Sequence, residues 1–179
     1  NDYARVVKDA CEAGINIIVS GAGLPTNLPE FTQNFKEIAL VPIVSSAKAL
    51  KIICKRWLQR YERLPDAVVL EGPLSGGHQG FTYEQCLDPE FSLFNLIPQV
   101  KAEIKEWGDF PLIAAGGIWD KNDIEKAISL GADGVQMGTR FIGTHECDAD
   151  IGFKEVLLAA EEKDIELIKS PVGYPARGI

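Results

Sequence analysis

Val68-Val69-Leu70-Glu71-Gly72-Pro73-Leu74-Ser75-Gly76-Gly77-His78-Gln79-Gly80 is the stretch against which the rest of the chain can be ordered. It opens as a short apolar run, which reads as a buried strand. It then breaks into a loop where Gly76, Gly77 and Gly80 surround one of the two histidines of the protein. Glycines on both sides let the backbone approach a ligand and take positive φ, which makes His78 a candidate for presentation to a cavity. The plainer use of the same residues is a turn whose imidazole caps a neighbouring carbonyl.

The pattern of apolar run followed by glycine recurs on either side. Residues 15–20 read as a strand closed by Gly21-Ala22-Gly23, and 40–44 as the next strand. Residues 111–118 run into Gly116-Gly117, and 132–140 into Gly138-Thr139. Helices fall between them. One is expected over 3–13, stopped by Gly14, and another over 30–38. A third follows a cap at Ser45 or Ser46 and carries the apolar stripe Leu50, Ile53, Cys54, Trp57, Leu58 and Tyr61. Leu96, Ile97, Val100, Ile104 and Trp107 mark a fourth, with Pro98 expected in its first turn. Asp120 or Asn122 starts a fifth, and 153–163 reads as the last. Between the His78 loop and Phe94 lies a long connection through Phe81 and Cys86, while 165–179 reads as a non-repeating tail.

Strands that alternate with helices and are apolar on both faces specify a parallel α/β sheet. No G-x-G-x-x-G follows a strand, which counts against a dinucleotide-binding open sheet. Several consecutive glycine-bearing strand exits instead fit a TIM-type (β/α)8 barrel, whose loops converge on one mouth. Such a barrel needs eight strands and typically about 250 residues, whereas five strands are visible in 179 residues. The expectation is therefore a single domain over 1–179, the C-terminal portion of an incomplete barrel with strands four to eight.

Composition narrows the partners. A net charge of −8 argues against nucleic acid and anionic membrane surfaces. No apolar run has the length of a membrane span and the N-terminus lacks a signal-peptide pattern, so a cytoplasmic protein is expected. Cys11, Cys54, Cys86 and Cys147 are scattered without a C-x-x-C pair, so no metal site is assigned and reduced thiols are expected. His145, beside Glu146 and Cys147, reads as a local cap or ion-pair partner. The exits after the last two strands lie where barrels commonly hold a phosphate, and the amides of Gly117, Gly138 and Thr139 are candidates to receive one. Arg140 is placed to support that site or to form a surface ion pair.

Residues 71–80, Ala114-Ala115-Gly116-Gly117-Ile118, and the segment 131–141 containing Gln136-Met137-Gly138-Thr139-Arg140 together resemble the nitronate monooxygenase family, formerly called 2-nitropropane dioxygenases. Val172-Gly173-Tyr174-Pro175-Ala176-Arg177 resembles a further family segment. The resemblance implies FMN as cofactor, with contacts from Glu71, Gly76, Gly77, Gly116, Gly117, Gln136, Met137, Gly138 and Thr139, and His78 as the catalytic histidine. It further implies a small-molecule substrate, a nitronate or nitroalkane, oxidised by dioxygen to a carbonyl compound and nitrite, and leaves a homo-oligomer open. One departure is visible: the motif opens with Glu71 and has Pro73-Leu74-Ser75, where many members of that family carry glutamine and a Glu-Ala pair before the glycines. FMN-containing NAD(P)H-dependent enoyl-acyl-carrier-protein reductases are similar in the same motifs and are the alternative. A flavin-free phosphate-binding barrel and a non-enzymatic binding module are more distant ones.

Overall fold

The computed structural model describes residues 2–21 and 23–179. Helix α1 (Asp2–Glu12) leads into β1 (Ile17–Ser20), α2 (Leu28–Phe31), β2 (Ala39–Val44), α3 (Ala47–Tyr61) and β3 (Val68–Glu71). The His78 loop contributes a two-residue strand, β4 (Gly77–His78), before α4 (Tyr83–Leu87), α5 (Leu93–Lys105) and β5 (Leu112–Ala115). The chain continues through α6 (Lys121–Ser129), β6 (Gly134–Gln136), α7 (Thr139–Ile142) and α8 (Ile151–Ala159), and ends in β7 (Glu166–Lys169) and β8 (Pro175–Gly178).

The main sheet is parallel with the order β1-β2-β3-β5-β6, each strand added on the same side as the one before. Doubly wound sheets reverse direction partway, and this one does not. The protein is thus α/β with the winding of a TIM-type (β/α)8 barrel, of which the described residues supply five consecutive parallel strands. Among the described residues no helix is long and apolar enough to cross a membrane.

Pairing register divides the strand residues between two faces. Leu40, Val44, Val68, Leu70, Leu112 and Ala114 point toward the helices and join the main core with Leu50, Ile53, Trp57, Ile97 and Val100. Each fully buried aliphatic side chain there contributes about 1.5–3 kcal/mol. The opposite face presents Val41, Val69 and Ala115, a much smaller cluster. There Ile17 and Val19 of β1 are 57% and 53% exposed while Ile18 packs on the core, so among the described residues β1 is covered on one face only, where 15–20 is expected to be a buried strand.

Two aspartates lock the strand starts in the same way. The Asp66 amide donates to the Leu40 carbonyl while its carboxylate accepts from the Leu40 amide at 2.8 Å. Asp133 makes the same reciprocal pair with Leu112, again with a 2.8 Å carboxylate bond. Each aspartate thereby satisfies both backbone groups at the start of the preceding strand. Arg63 and Lys101 neutralise the two carboxylates at 2.9 and 2.6 Å, and the Lys101 hydrogen bond holds the Asp133 carboxyl below the usual carboxylate range.

Several expectations are corrected. The helix expected over 30–38 is only α2, a single turn begun around Pro29 and followed by turns, with Phe35 and Ile38 packed on the core from non-helical backbone. Pro98 is not in a first turn: α5 begins at Leu93, so the proline lies in the second turn, on the exposed side. The long connection after His78 folds locally. Thr82 and Gln85 form a capping box for α4, Phe81 and Cys86 are buried, and the Phe81 ring stands edge-on to Phe91. The last helix is shorter than 153–163, ending at Ala159. The tail 165–179 is not irregular. β7 and β8 form an antiparallel hairpin, and β8 pairs with β4, so the chain end is hydrogen-bonded to the His78 loop.

Candidate active site

All five parallel strands end at the same rim, and the site is built there from strand exits. β3 ends with Glu71 on the face turned away from the helices, in register with Ala115 of β5, which in turn pairs with Gln136 of β6. Gly116 and Gly117 follow at φ +85° and +91°. Both are in the left-handed region, where a Cβ is strained. A side chain on Gly116 would also place its Cβ 2.7 Å from the Gly72 carbonyl oxygen, so the two strand exits approach as closely as they do only because both are glycine. Among the described residues, no loop or cap hydrogen bond uses the N–H groups of Gly117, Gly138 or Thr139. Three donors are thus left free along one wall.

That wall belongs to a cavity of about 690 Å³. Glu71, Gly76, Gly116, Gly117 and the run Gln136, Met137, Gly138 and Thr139 all line it, which brings together eight of the nine cofactor residues expected from sequence. Gly77 does not line it. Its φ of +77° turns the chain between Gly76 and His78. Arg177 of β8 adds the guanidinium that sequence reading did not assign, anchored by its Nε donating to the Pro73 carbonyl at 3.2 Å. Arg140 lies 4.9 Å from the centre of the Trp119 ring, and it is Trp119 that lines the cavity.

His78 faces a second cavity, of about 580 Å³, with Ser45, Gln79, Val172 and Tyr174 among its walls. Glu71 lines both cavities and is the single residue they share. The imidazole is not held by chance. Its Nε2 lies 3.0 Å from the hydroxyl of Ser170, a buried residue in the turn between β7 and β8. Gln79, 3% exposed, holds the loop from within. Its Nε2 donates to the carbonyls of Ser75 and Gly77 at 2.6 and 3.0 Å, and its Oε1 accepts from the Ser75 hydroxyl. From outside, the Ser45 hydroxyl donates to the Gly80 carbonyl and the Gln79 amide to the Pro175 carbonyl.

Electrostatically the site is sparse. The Glu71 carboxyl accepts no hydrogen bond and forms no ion pair among the described residues, and burial alone pushes its pKa above the ordinary value. His145 lines neither cavity and is exposed. Ser170 and Gln79 had no signal in periodicity or spacing. Arg177 and Tyr174 lie in the segment that already resembled the family.

The nitronate monooxygenase profile matches residues 1–179. The chain belongs to that family. A probable nitronate monooxygenase of Bacillus subtilis is 39% identical over 118 residues, which are 66% of this chain and 33% of the relative. FabK of Thermotoga maritima superposes with a TM-score of 0.75 at 32% identity, over 96% of this chain and 49% of that one. Nitroalkane oxidase of Streptomyces ansochromogenes shares the fold, with a TM-score of 0.72 at 24% identity over 97% of this chain and 47% of that one. The matched residues therefore cover about a third of the curated family member, and the chain covers about half of the structural neighbours.

Proposed function

We propose that this chain carries the catalytic half of an FMN-dependent oxidoreductase that oxidises nitronates or nitroalkanes with dioxygen, giving a carbonyl compound and nitrite. The observation that carries the reading is the division of the rim. Free backbone donors and one guanidinium line the 690 Å³ cavity, the imidazole of His78 lies in the 580 Å³ cavity, and Glu71 is their common wall.

The residues present fit the phosphate end of FMN. Gly117, Gly138 and Thr139 offer uncommitted N–H donors, and no atom lies within 4 Å of where a Gly138 side chain would begin, leaving open space against the backbone. Arg177 supplies positive charge to the same cavity. Ile118, Ile142, Val156 and Leu157 provide apolar walls for a flat ring system. Bound there, the flavin would take electrons from the substrate and pass them to dioxygen.

The protein's own part is to bind, orient and move one proton. A nitronate carbon is already electron-rich, so the anion needs only to be held. A neutral nitroalkane first has to lose its α-proton, and His78 is the group in the 580 Å³ cavity that can take it. With Nε2–H donating to the Ser170 hydroxyl, Nδ1 keeps its lone pair and takes that proton. The imidazolium so formed carries hydrogens on both nitrogens, still donates from Nε2 to Ser170, and is a cationic partner for the nitronate produced.

Oxygen uptake with an alkyl nitronate tests the reaction. His78→Asn is expected to keep bound FMN, judged from the flavin absorbance, while turnover of a neutral nitroalkane falls about a hundredfold to ten-thousandfold. Unchanged turnover removes His78 from the chemistry. The enoyl reductase alternative is tested by NAD(P)H consumption with an enoyl thioester, and such consumption without oxygen uptake on nitronates would replace the present reading.

A further inference from the structure

We propose that Glu71 sets the charge of the ligand that the 580 Å³ cavity accepts: an anion enters together with one proton, which Glu71 takes up. The inference rests on reading that cavity as the substrate cleft and deepens it by naming what decides its specificity.

The geometry is unusual for a carboxylate. Glu71 ends β3 on the face turned from the helices, where its strand neighbours in register are Ala115 and, beyond it, Gln136. It is half-buried, it lines both cavities, and no described residue donates to it. The charged or titratable groups that share its cavities are few. Arg177 stands in the larger one, with its Nε committed to the Pro73 carbonyl. His78 and Tyr174 stand in the smaller, and the His78 Nε2 is committed to Ser170. None of them forms an ion pair with Glu71 among the described residues, and burial without compensation raises its pKa.

An ionised carboxylate placed there repels any anion that enters beside it, the more strongly because half-burial reduces the screening between them. Protonated, the same group has one O–H to donate and its repulsion is gone. Binding of an anion and protonation of Glu71 are then linked, and above the pKa of the free carboxyl the affinity falls about tenfold for each pH unit. A neutral nitroalkane escapes the linkage. A glutamine at this position, which cannot ionise, would abolish it.

The test uses isobutyrate, a stable carboxylate with the shape of the 2-nitropropane anion, titrated into the purified protein by calorimetry in buffers of different ionisation enthalpy. Expected for the wild type above the Glu71 pKa are uptake of about one proton per isobutyrate bound and a Kd that rises about tenfold per pH unit. Glu71→Gln is expected to bind with a Kd that no longer follows pH and without proton uptake, whereas His78→Gln keeps the uptake. Should Glu71→Gln not fold, infrared difference spectra of the wild type with isotope-labelled isobutyrate replace it, and a new protein carboxylic C=O band on binding is expected. Uptake that persists in Glu71→Gln, uptake lost with His78, no protein band, or no isobutyrate binding at any pH would overturn the proposal. None of these readouts needs turnover, so a protein that oxidises no nitronate can still show the linkage, and one that oxidises nitronates can still lack it.

Discussion

The two faces of the parallel sheet differ more than two faces of one sheet usually do. On the helix side Leu70 is completely buried, and its sheet neighbours Val44 and Ala114 join it in one large core. One residue earlier, Val69 belongs to a cluster of three buried residues, and along the same face Ile17 and Val19 stand in the open. The helix side holds the protein together. The other side ends in Glu71, Ala115 and Gln136, and its work is to form the floor of the two cavities. A sheet can serve both purposes because successive side chains point in opposite directions, so stability and chemistry draw on alternate residues of the same strand.

The comparison can be broken by substitution. The largest loss is expected on the helix side: Leu70→Ala should lower the unfolding free energy by about 2–5 kcal/mol, read from the midpoint in denaturant. A loss under about 1 kcal/mol would mean that the helix layer re-packs freely and is not the main support. Next comes the rim, where Gly116→Ala combines a left-handed φ with a 2.7 Å approach of the new Cβ to the Gly72 oxygen. A cost of about 1–3 kcal/mol is expected, together with weakened FMN binding, measured by flavin fluorescence on titration. The smallest effect belongs to the uncovered face. Val19→Thr should shift stability by no more than about 0.5 kcal/mol. If it costs as much as a core truncation, Val19 is covered in solution and the contrast between the faces is lost.

The parts of the fold legible from sequence were those with a local cause. Ser46 caps α3 through the Ala49 amide, Asp120 caps α6, and Gly14 takes the positive φ expected at the end of α1. The two glycine exits were equally plain, since Gly116, Gly117, Gly138 and Thr139 do line one cavity with Glu71. What failed locally had competing signals. Residues 30–38 carry apolar spacing compatible with a helix, but Pro29 and the turn at Thr32 left only one turn standing. Pro98 was placed by its dislike of helix interiors, and the start of α5 at Leu93 overrode that preference through the buried Leu93, Leu96 and Ile97.

Residues 165–179 show the deeper limit. Two prolines and two glycines in that segment give no alternation to read, and the strands there exist because β8 finds a partner in β4, about a hundred residues away in sequence. From that pairing come the Ser170 contact to His78 and the Arg177 guanidinium in the larger cavity.

From residue order alone came the alternation of strand and helix, the glycine exits, and the placing of one imidazole in a glycine-framed loop at a strand end. Those follow from periodicity and backbone freedom, which act over a few neighbours. Only the folded chain decided that His78 faces a different cavity from the amide donors, that Glu71 divides the two, and that the last hairpin holds the histidine. These are contacts between distant segments, and their existence depends on which surfaces are left unpaired once the sheet has formed.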